Sequence, residues 1–148
     1  PDMALFLFTK AILEGKPIDV FNKGNMTRDF TFIDDIVEGV IRVSDKTAFP
    51  NNSFSSKSPD PATSKAPFRV FNIGNSQPTP LMDYISAIEN ALNIKAKKNL
   101  LPMQLGDVQS TSANTSELNK WVDFKPNTPV EEGVTKFVNW YLNFYQSK

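Results

Sequence analysis

No histidine and no cysteine occur in these 148 residues. That removes imidazole acid–base chemistry and His metal ligation from the chain, along with disulfides, thiol nucleophiles and Cys-based zinc sites. Glycine is sparse. The six glycines, at 15, 24, 39, 74, 106 and 133, are isolated. No two have the spacing of a G-x-G-x-x-G or G-x-x-G-x-x-G turn, which would seat a dinucleotide pyrophosphate on a helix N-terminus. None of Tyr84, Tyr141 and Tyr145 is followed by Lys four residues later. Long apolar runs are missing too: Met3 to Leu13 is broken by Thr9 and Lys10, so no stretch is suited to crossing a membrane. There is also no signal-peptide pattern. Sixteen basic and sixteen acidic residues cancel, leaving no global field to draw the chain to nucleic acid or anionic lipid. Lys95, Lys97 and Lys98 form a small basic cluster without interleaved aromatics, which reads as solvated surface. The expectation is a cytoplasmic protein with neither a nucleic-acid nor a membrane partner.

What the chain does have suffices for a core. Apolar residues make up 40% of it, twelve of them Phe. A chain this long suits one domain and can bury roughly 68–70% of its unfolded surface. Residues 2 to 14 read as a helix ending at Gly15, with Leu5, Phe6, Leu7, Phe8, Ala11, Ile12 and Leu13 covering most of its circumference, so burial on several sides is expected. Ile18 to Phe21 alternates like a short strand before a turn at 22–25. Thr31 to Ile33 reads as extended. A helix capped by Asp34 or Asp35 then runs to about Lys46, with Ile36, Val37, Val40, Ile41 and Val43 on its apolar side.

Periodicity vanishes from Thr47 to Pro67, a Pro/Ser-rich excursion at residues 47–67 that reads either as a lid or as a tolerated insertion. Arg69 to Ile73 is a compact β-prone run. Thr79-Pro80 offers a cap and a first-position proline for a helix to about Asn93. Lys97 to Leu101 reads as another short strand. Asn114-x-x-Glu117 and Thr128-Pro129-Val130-Glu131 resemble capping boxes for two more helices. The last of these aligns Val130, Val134, Phe137, Tyr141 and Phe144 on one stripe. The class expected is α/β, mainly helices with short strands.

The most chemical stretch is Met26-Thr27-Arg28-Asp29-Phe30-Thr31-Phe32-Ile33-Asp34-Asp35. A fixed Arg suits a phosphate, because its planar fork donates two parallel hydrogen bonds and stays charged at any relevant pH. A bare surface Arg–Asp pair would explain the residue equally simply. Asp34 and Asp35 point apart on a helix and need no role beyond its first turn.

Pro1-Asp2-Met3-Ala4, the Arg28-to-Asp35 run, Val70-Phe71-Asn72-Ile73-Gly74-Asn75 and Gly106-Asp107-Val108 follow one another at family-like intervals. Together they resemble the carboxy-terminal part of the NAD-dependent nucleotide-sugar epimerase/dehydratase family of extended short-chain dehydrogenases, nearest its UDP-glucuronate 4-epimerases. The resemblance covers nearly the whole chain. It implies that residues 1–148 are a UDP-sugar-binding region of a parent whose glycine-rich loop and Tyr-x-x-x-Lys pair, absent here, lie elsewhere. It implies NAD bound by that other half, and a substrate oxidised transiently to a 4-keto sugar, as in capsule or pectin sugar pathways.

The resemblance also implies site residues. Asp19 and Phe21 would line the uracil, the Phe as a flat apolar neighbour and the strand through its backbone. Arg28 would contact the diphosphate. Many relatives carry a second arginine where this chain has Gln104, whose amide donates without charge. Leu105 replaces a common proline. Asp107 would accept from the ribose hydroxyls, although a turn residue after Gly106 reads as simply. No residue of this chain is expected to be catalytic, and the fragment alone is expected to be inactive.

By the same resemblance, the helix after Asp35 and the strand around Phe71 pack on the missing half. Ile36, Val40, Val43 and Val70 are therefore expected to be exposed and to drive homo-oligomer formation. Two alternatives remain open at this point: a non-catalytic nucleotide-sugar-binding or interaction module, or a related UDP-sugar decarboxylase or dehydratase.

Overall fold

The helices form where apolar spacing places them, and the strands are fewer and shorter than expected. A computed structural model describes residues 3–146, the side chain of Gln146 excepted. Pro1 and Asp2 of the first motif lie outside the described residues. By internal contacts the chain divides into two units. One comprises the chain through Phe30, Gln77–Ser112, and Thr128 onward; the other comprises Thr31–Ser76 and Ala113–Asn127.

The first unit holds α1 (Ala4–Leu13), β1 (Ile18–Val20), β2 (Thr27–Arg28), β3 (Thr79–Pro80), α3 (Leu81–Leu92), β4 (Lys98–Leu100) and α5 (Val130–Gln146). Its strands make two small sheets, β1 parallel to β4 and β2 antiparallel to β3. The core lies between α3 and α5 and extends to α1 and β1, with Ile85, Ile88, Val134, Val138 and Val20 almost wholly buried. Ile85 and Ile88 sit three apart on α3, and Val134 and Val138 four apart on α5, so each helix turns one apolar stripe inward. Phe30 stacks flat on Tyr84 at 3.8 Å between ring centroids, which carries the core out to the end of β2. Burial pushes the Tyr84 phenol's pKa up.

α1 departs from expectation. Only Thr9 and Ile12 are buried, and Leu7 is exposed. The helix lies against α3 and β1 on one side, and Phe6 meets Tyr141 and Tyr145 edge-on at 5.1 and 5.6 Å. Its end is as expected. Gly15, at φ +67°, donates to Ile12 O, and Lys16 donates to Ala11 O, the paired bonds of a Schellman cap. Three local expectations shift register. Phe21 opens a 3-10 turn and is not part of β1. Pro80 precedes α3 within β3, so Thr79 is not its cap, and the Thr79 hydroxyl bonds Gln77 O instead. The strand expected at 97–101 contracts to β4.

The second unit holds α2 (Ile33–Ser44) and α4 (Ser116–Val122). Phe32, extended and with no side-chain cap bond, precedes α2, so neither Asp34 nor Asp35 is its cap. Both acids occupy the first turn, where they favour the positive end of the helix, and Asp35 accepts the Asn127 N–H at 3.2 Å. Arg69 to Ile73 forms no strand. Its one ladder contact is an isolated bridge from Arg69 to Thr63, since a β-prone run without a partner strand stays irregular. The 47–67 excursion folds back on itself: Asn51 N–H bonds Ser64 O, its amide reaches the buried Thr63 hydroxyl, and that hydroxyl bonds Asp60. α4 starts one residue beyond the expected box, with the Asn114 carboxamide accepting from Ser116 N–H. Of the apolar residues expected to be exposed, Val40 and Val70 are half uncovered, at 50% and 51%. Ile36 and Val43 are only partly so, and Ile33, Val37 and Ile41 are exposed in their place.

Glu89 fastens the end of α3 to the start of β4. Its carboxylate is only 4% exposed and accepts from Lys95, Lys98 and the Ala96 N–H. Burial opposes the charge, but those three donors outweigh it and hold the carboxyl down at about 2 against an ordinary 4.5. A lowered folded-state value contributes stability above pH 4.5 that disappears as pH falls towards 2. Glu89→Gln should therefore cost about 1.5–3 kcal/mol at neutral pH and flatten the acid limb of a stability–pH curve measured by urea unfolding.

Candidate functional site

All five residues expected at a nucleotide site fall in the first unit, on elements that its core positions. β1 and β4 run parallel with Asp19 opposite Asn99, and the Asn99 amide donates to Asp19 Oδ1 at 2.9 Å. The ladder continues past the strands: Leu101 N–H bonds Val20 O and Lys23 N–H bonds Leu101 O, each at 3.0 Å. Those bonds pin the turn that begins at half-buried Phe21. Asn22 and Lys23 are both left-handed, at φ 50° and 52°. Asn accepts that conformation readily and Lys does not. Asn22 is further fixed by its side-chain bond to Asn25 O at 2.8 Å. Gly24 then reverses the chain at φ +83° into β2.

β2 is held on two sides. It pairs antiparallel with β3, and on its other side it meets the chain returning at 109–111. Thr27 N–H bonds Gln109 O at 3.0 Å, Thr111 N–H bonds Thr27 O at 3.3 Å, and the Thr27 and Ser110 hydroxyls meet at 2.7 Å. One residue further on, Asp29 N–H bonds the Thr111 hydroxyl, and Asp29 Oδ1 accepts from Gln77 N–H.

Arg28 lies at the centre of this arrangement. Its Nη1 donates to Thr27 O at 2.9 Å and to Gln109 O at 3.2 Å, and its Nη2 donates to Asp107 Oδ1 at 2.8 Å. Asp107 Oδ1 also accepts from Val108 N–H at 2.7 Å, and Asp107 N–H bonds Gln104 O across the turn through Gly106. A guanidinium has five donors, so Nε–H and one Nη2 hydrogen are left for a further acceptor. The group is oriented by backbone carbonyls, fully charged, and partly open, its side chain being 24% exposed. Such a fork can donate to a phosphate or another anion.

The structure thus brings Arg28 and Asp107 together, joins Gln104 to Asp107 through its backbone carbonyl alone, and holds Asp19 and Phe21 on the strand and turn paired with the segment leading into the loop of Gln104 and Asp107. Sequence reasoning missed Asn99, Thr27, Gln109, Ser110 and Thr111. Their roles arise from pairing across about eighty residues of chain, and nothing in their local pattern announces it.

The described residues do not fit NAD. A pyrophosphate cradle needs a glycine turn between a strand and a helix N-terminus. The described glycines with positive φ instead end α1, turn into β2, or sit in the loop before Asp107. No step through that cofactor is assigned to these residues. Among the described residues, no helix is long and apolar enough to cross a membrane.

Residues 1–55 match the NAD dependent epimerase/dehydratase family. Over 99% of its length the chain is 53% identical to Protein CapI of Staphylococcus aureus and 46% identical to the probable UDP-glucuronate 4-epimerase of Rhizobium meliloti. It spans 44% and 43% of those two proteins, less than half of each. Among solved structures, the UDP-glucuronic acid 4-epimerase of Bacillus cereus, in complex with UDP-glucuronic acid and NAD, superposes with a TM-score of 0.78. That match covers 98% of this chain and 41% of that one, at 27% identity. The mixed α/β architecture is therefore part of an extended short-chain dehydrogenase fold.

The turn carrying Phe21 gives a direct test of this framework. A Cβ on Gly24 would stand 2.6 Å from Met82 Sδ, a flexible tip that can swing aside, but the positive φ would remain. Gly24→Ala should therefore destabilise the chain by about 1 kcal/mol or more in denaturant unfolding.

Proposed function

We propose that this chain, similar to members of the NAD dependent epimerase/dehydratase family, is the nucleotide-gripping part of a UDP-sugar 4-epimerase. The reaction proposed is interconversion of UDP-glucuronate and UDP-galacturonate at C4, in cytoplasmic supply of sugars for capsule-type polysaccharide. In this reading Arg28 takes the diphosphate on its Nε–Nη2 edge. Asp107 takes the ribose hydroxyls, Gln104 adds an uncharged donor, and Phe21 with the Asp19 backbone covers the uracil. The observation that carries the reading is the Arg28 guanidinium, locked by Thr27 O and Gln109 O with its outer edge turned to the loop.

This division of labour has a physical reason. Inverting a sugar carbon requires the sugar to turn while its product is retained, so the hold must come from atoms remote from the reacting carbon. A charged, pre-oriented grip on the nucleotide supplies that hold. NAD and the groups acting on C4 are assigned to the remainder of the parent protein, which its relatives' greater length accommodates.

Calorimetric titration with UDP tests the grip. Arg28→Ala should weaken binding by about 1.5–3 kcal/mol, the usual worth of a hydrogen bond to a charged group. UDP binding indifferent to that substitution would contradict the reading. The chain by itself should show no turnover of UDP-glucuronate; measurable epimerisation would show that the chemistry resides here. A homo-oligomer is also proposed, through the exposed Ile33, Val37, Val40 and Ile41 of α2. Sedimentation velocity should show concentration-dependent association, and a purely monomeric profile at high concentration would refute it.

A further inference from the structure

We infer that Asp107 is a specificity-determining residue, which makes the Arg28 site reject anions that carry no ribose. The inference rests on the nucleotide reading above and adds to it a mechanism of discrimination. Asp107 lies 2.8 Å from Arg28 Nη2, the terminal nitrogen that also carries one of the guanidinium's remaining donors. A phosphate seated on Nε and Nη2 would share Nη2 with this carboxylate and stand beside a like charge. Two anions at one guanidinium repel, the more so in a partly closed setting, where side-chain exposures are only 24% and 34%. Seating the phosphate therefore favours release of Asp107 from Arg28.

What happens to the released carboxylate depends on the ligand. The loop carrying it is exposed throughout, up to 99% at Leu105, and turns at Gly106, so the side chain can rotate without disturbing the core. Thr27, Gln109 and Ser110 still hold the loop's far end by bonds that do not involve Asp107. A nucleoside diphosphate presents ribose hydroxyls within the same ligand, and these donate to the freed carboxylate. Inorganic phosphate or pyrophosphate presents only further acceptors. For such an anion the Arg28–Asp107 pair is lost and nothing replaces it, so the site discriminates by a repulsive element as well as by attraction.

The experiment compares UDP and inorganic pyrophosphate on the whole chain, on Asp107→Asn and on Asp107→Ala, with circular dichroism confirming folding. Asp107→Asn keeps the side-chain shape and an acceptor oxygen. It should tighten pyrophosphate at least five-fold and narrow the preference for UDP over pyrophosphate, and 0.5 M salt should shrink the pyrophosphate gain, since screening weakens the repulsion removed. Asp107→Ala should also tighten pyrophosphate but weaken UDP, because no acceptor remains for the ribose. Pyrophosphate binding that is unchanged or weaker in both variants, while UDP binding still depends on Arg28, overturns the discrimination and leaves the nucleotide reading standing. UDP binding that is absent or independent of Arg28 overturns the nucleotide reading, and the discrimination with it.

Discussion

One guanidinium with both terminal nitrogens engaged organises the part of this chain that could meet a ligand. Arg28 sits on a two-residue strand, too short to hold a position by ladder bonds alone. Its Nη1 bonds to Thr27 O and Gln109 O, together with its ion pair to Asp107, bring in an exposed loop that has no regular structure. In open solvent such a pair would be worth little. Here its significance is geometric: the backbone carbonyls fix the plane of the fork, and that plane decides where an anion can approach.

The fixed fork depends in turn on the α3–α5 core. α3 follows β3, which pairs with β2, and Met26 O accepts the first amide of α3 at 2.8 Å. The other end of α3 is tied by Glu89 to the segment that opens β4, and β4 pairs with β1 and leads into the loop. A single helix therefore sets both the strand bearing Arg28 and the strand bearing the approach to Asp107. Loss of packing at Ile85 or Ile88 would reach the site through both ends, although neither side chain is near it in sequence.

Much of this was legible in the sequence, and the division is physical. Apolar spacing and capping motifs located the helices, because both patterns are local, although α1 is buried on fewer sides than expected and much of the apolar side of α2 is exposed. Gly15 ended α1 as a left-handed residue, as expected from residue type, and α3 stopped close to the expected Asn93. Strand expectations fared less well. Arg69 to Ile73 has the composition of a strand but only an isolated bridge to Thr63 and no partner strand among the described residues, and Phe21 was drawn out of β1 by the turn at Asn22 and Lys23. At the site, Arg28 and Asp107 were identifiable through family motifs, and each also had a bland reading as a surface pair or turn residue. Their pairing was not identifiable, nor were the supporting roles of Asn99, Gln109 and Ser110. Contacts between residues some eighty positions apart leave no trace in local periodicity.

The central claim is that a nucleotide is gripped at Arg28 by the framework of β1, β2 and the loop ending at Ser110. A UDP titration followed by amide-resolved nuclear magnetic resonance tests it most directly. The account predicts that the amides of Phe21, Arg28, Asp107 and Val108 shift together with one dissociation constant, and that Arg28→Ala weakens that constant by about 1.5–3 kcal/mol across the set. Shifts confined to residues 31–76 and 113–127, or none anywhere at millimolar UDP, would contradict it.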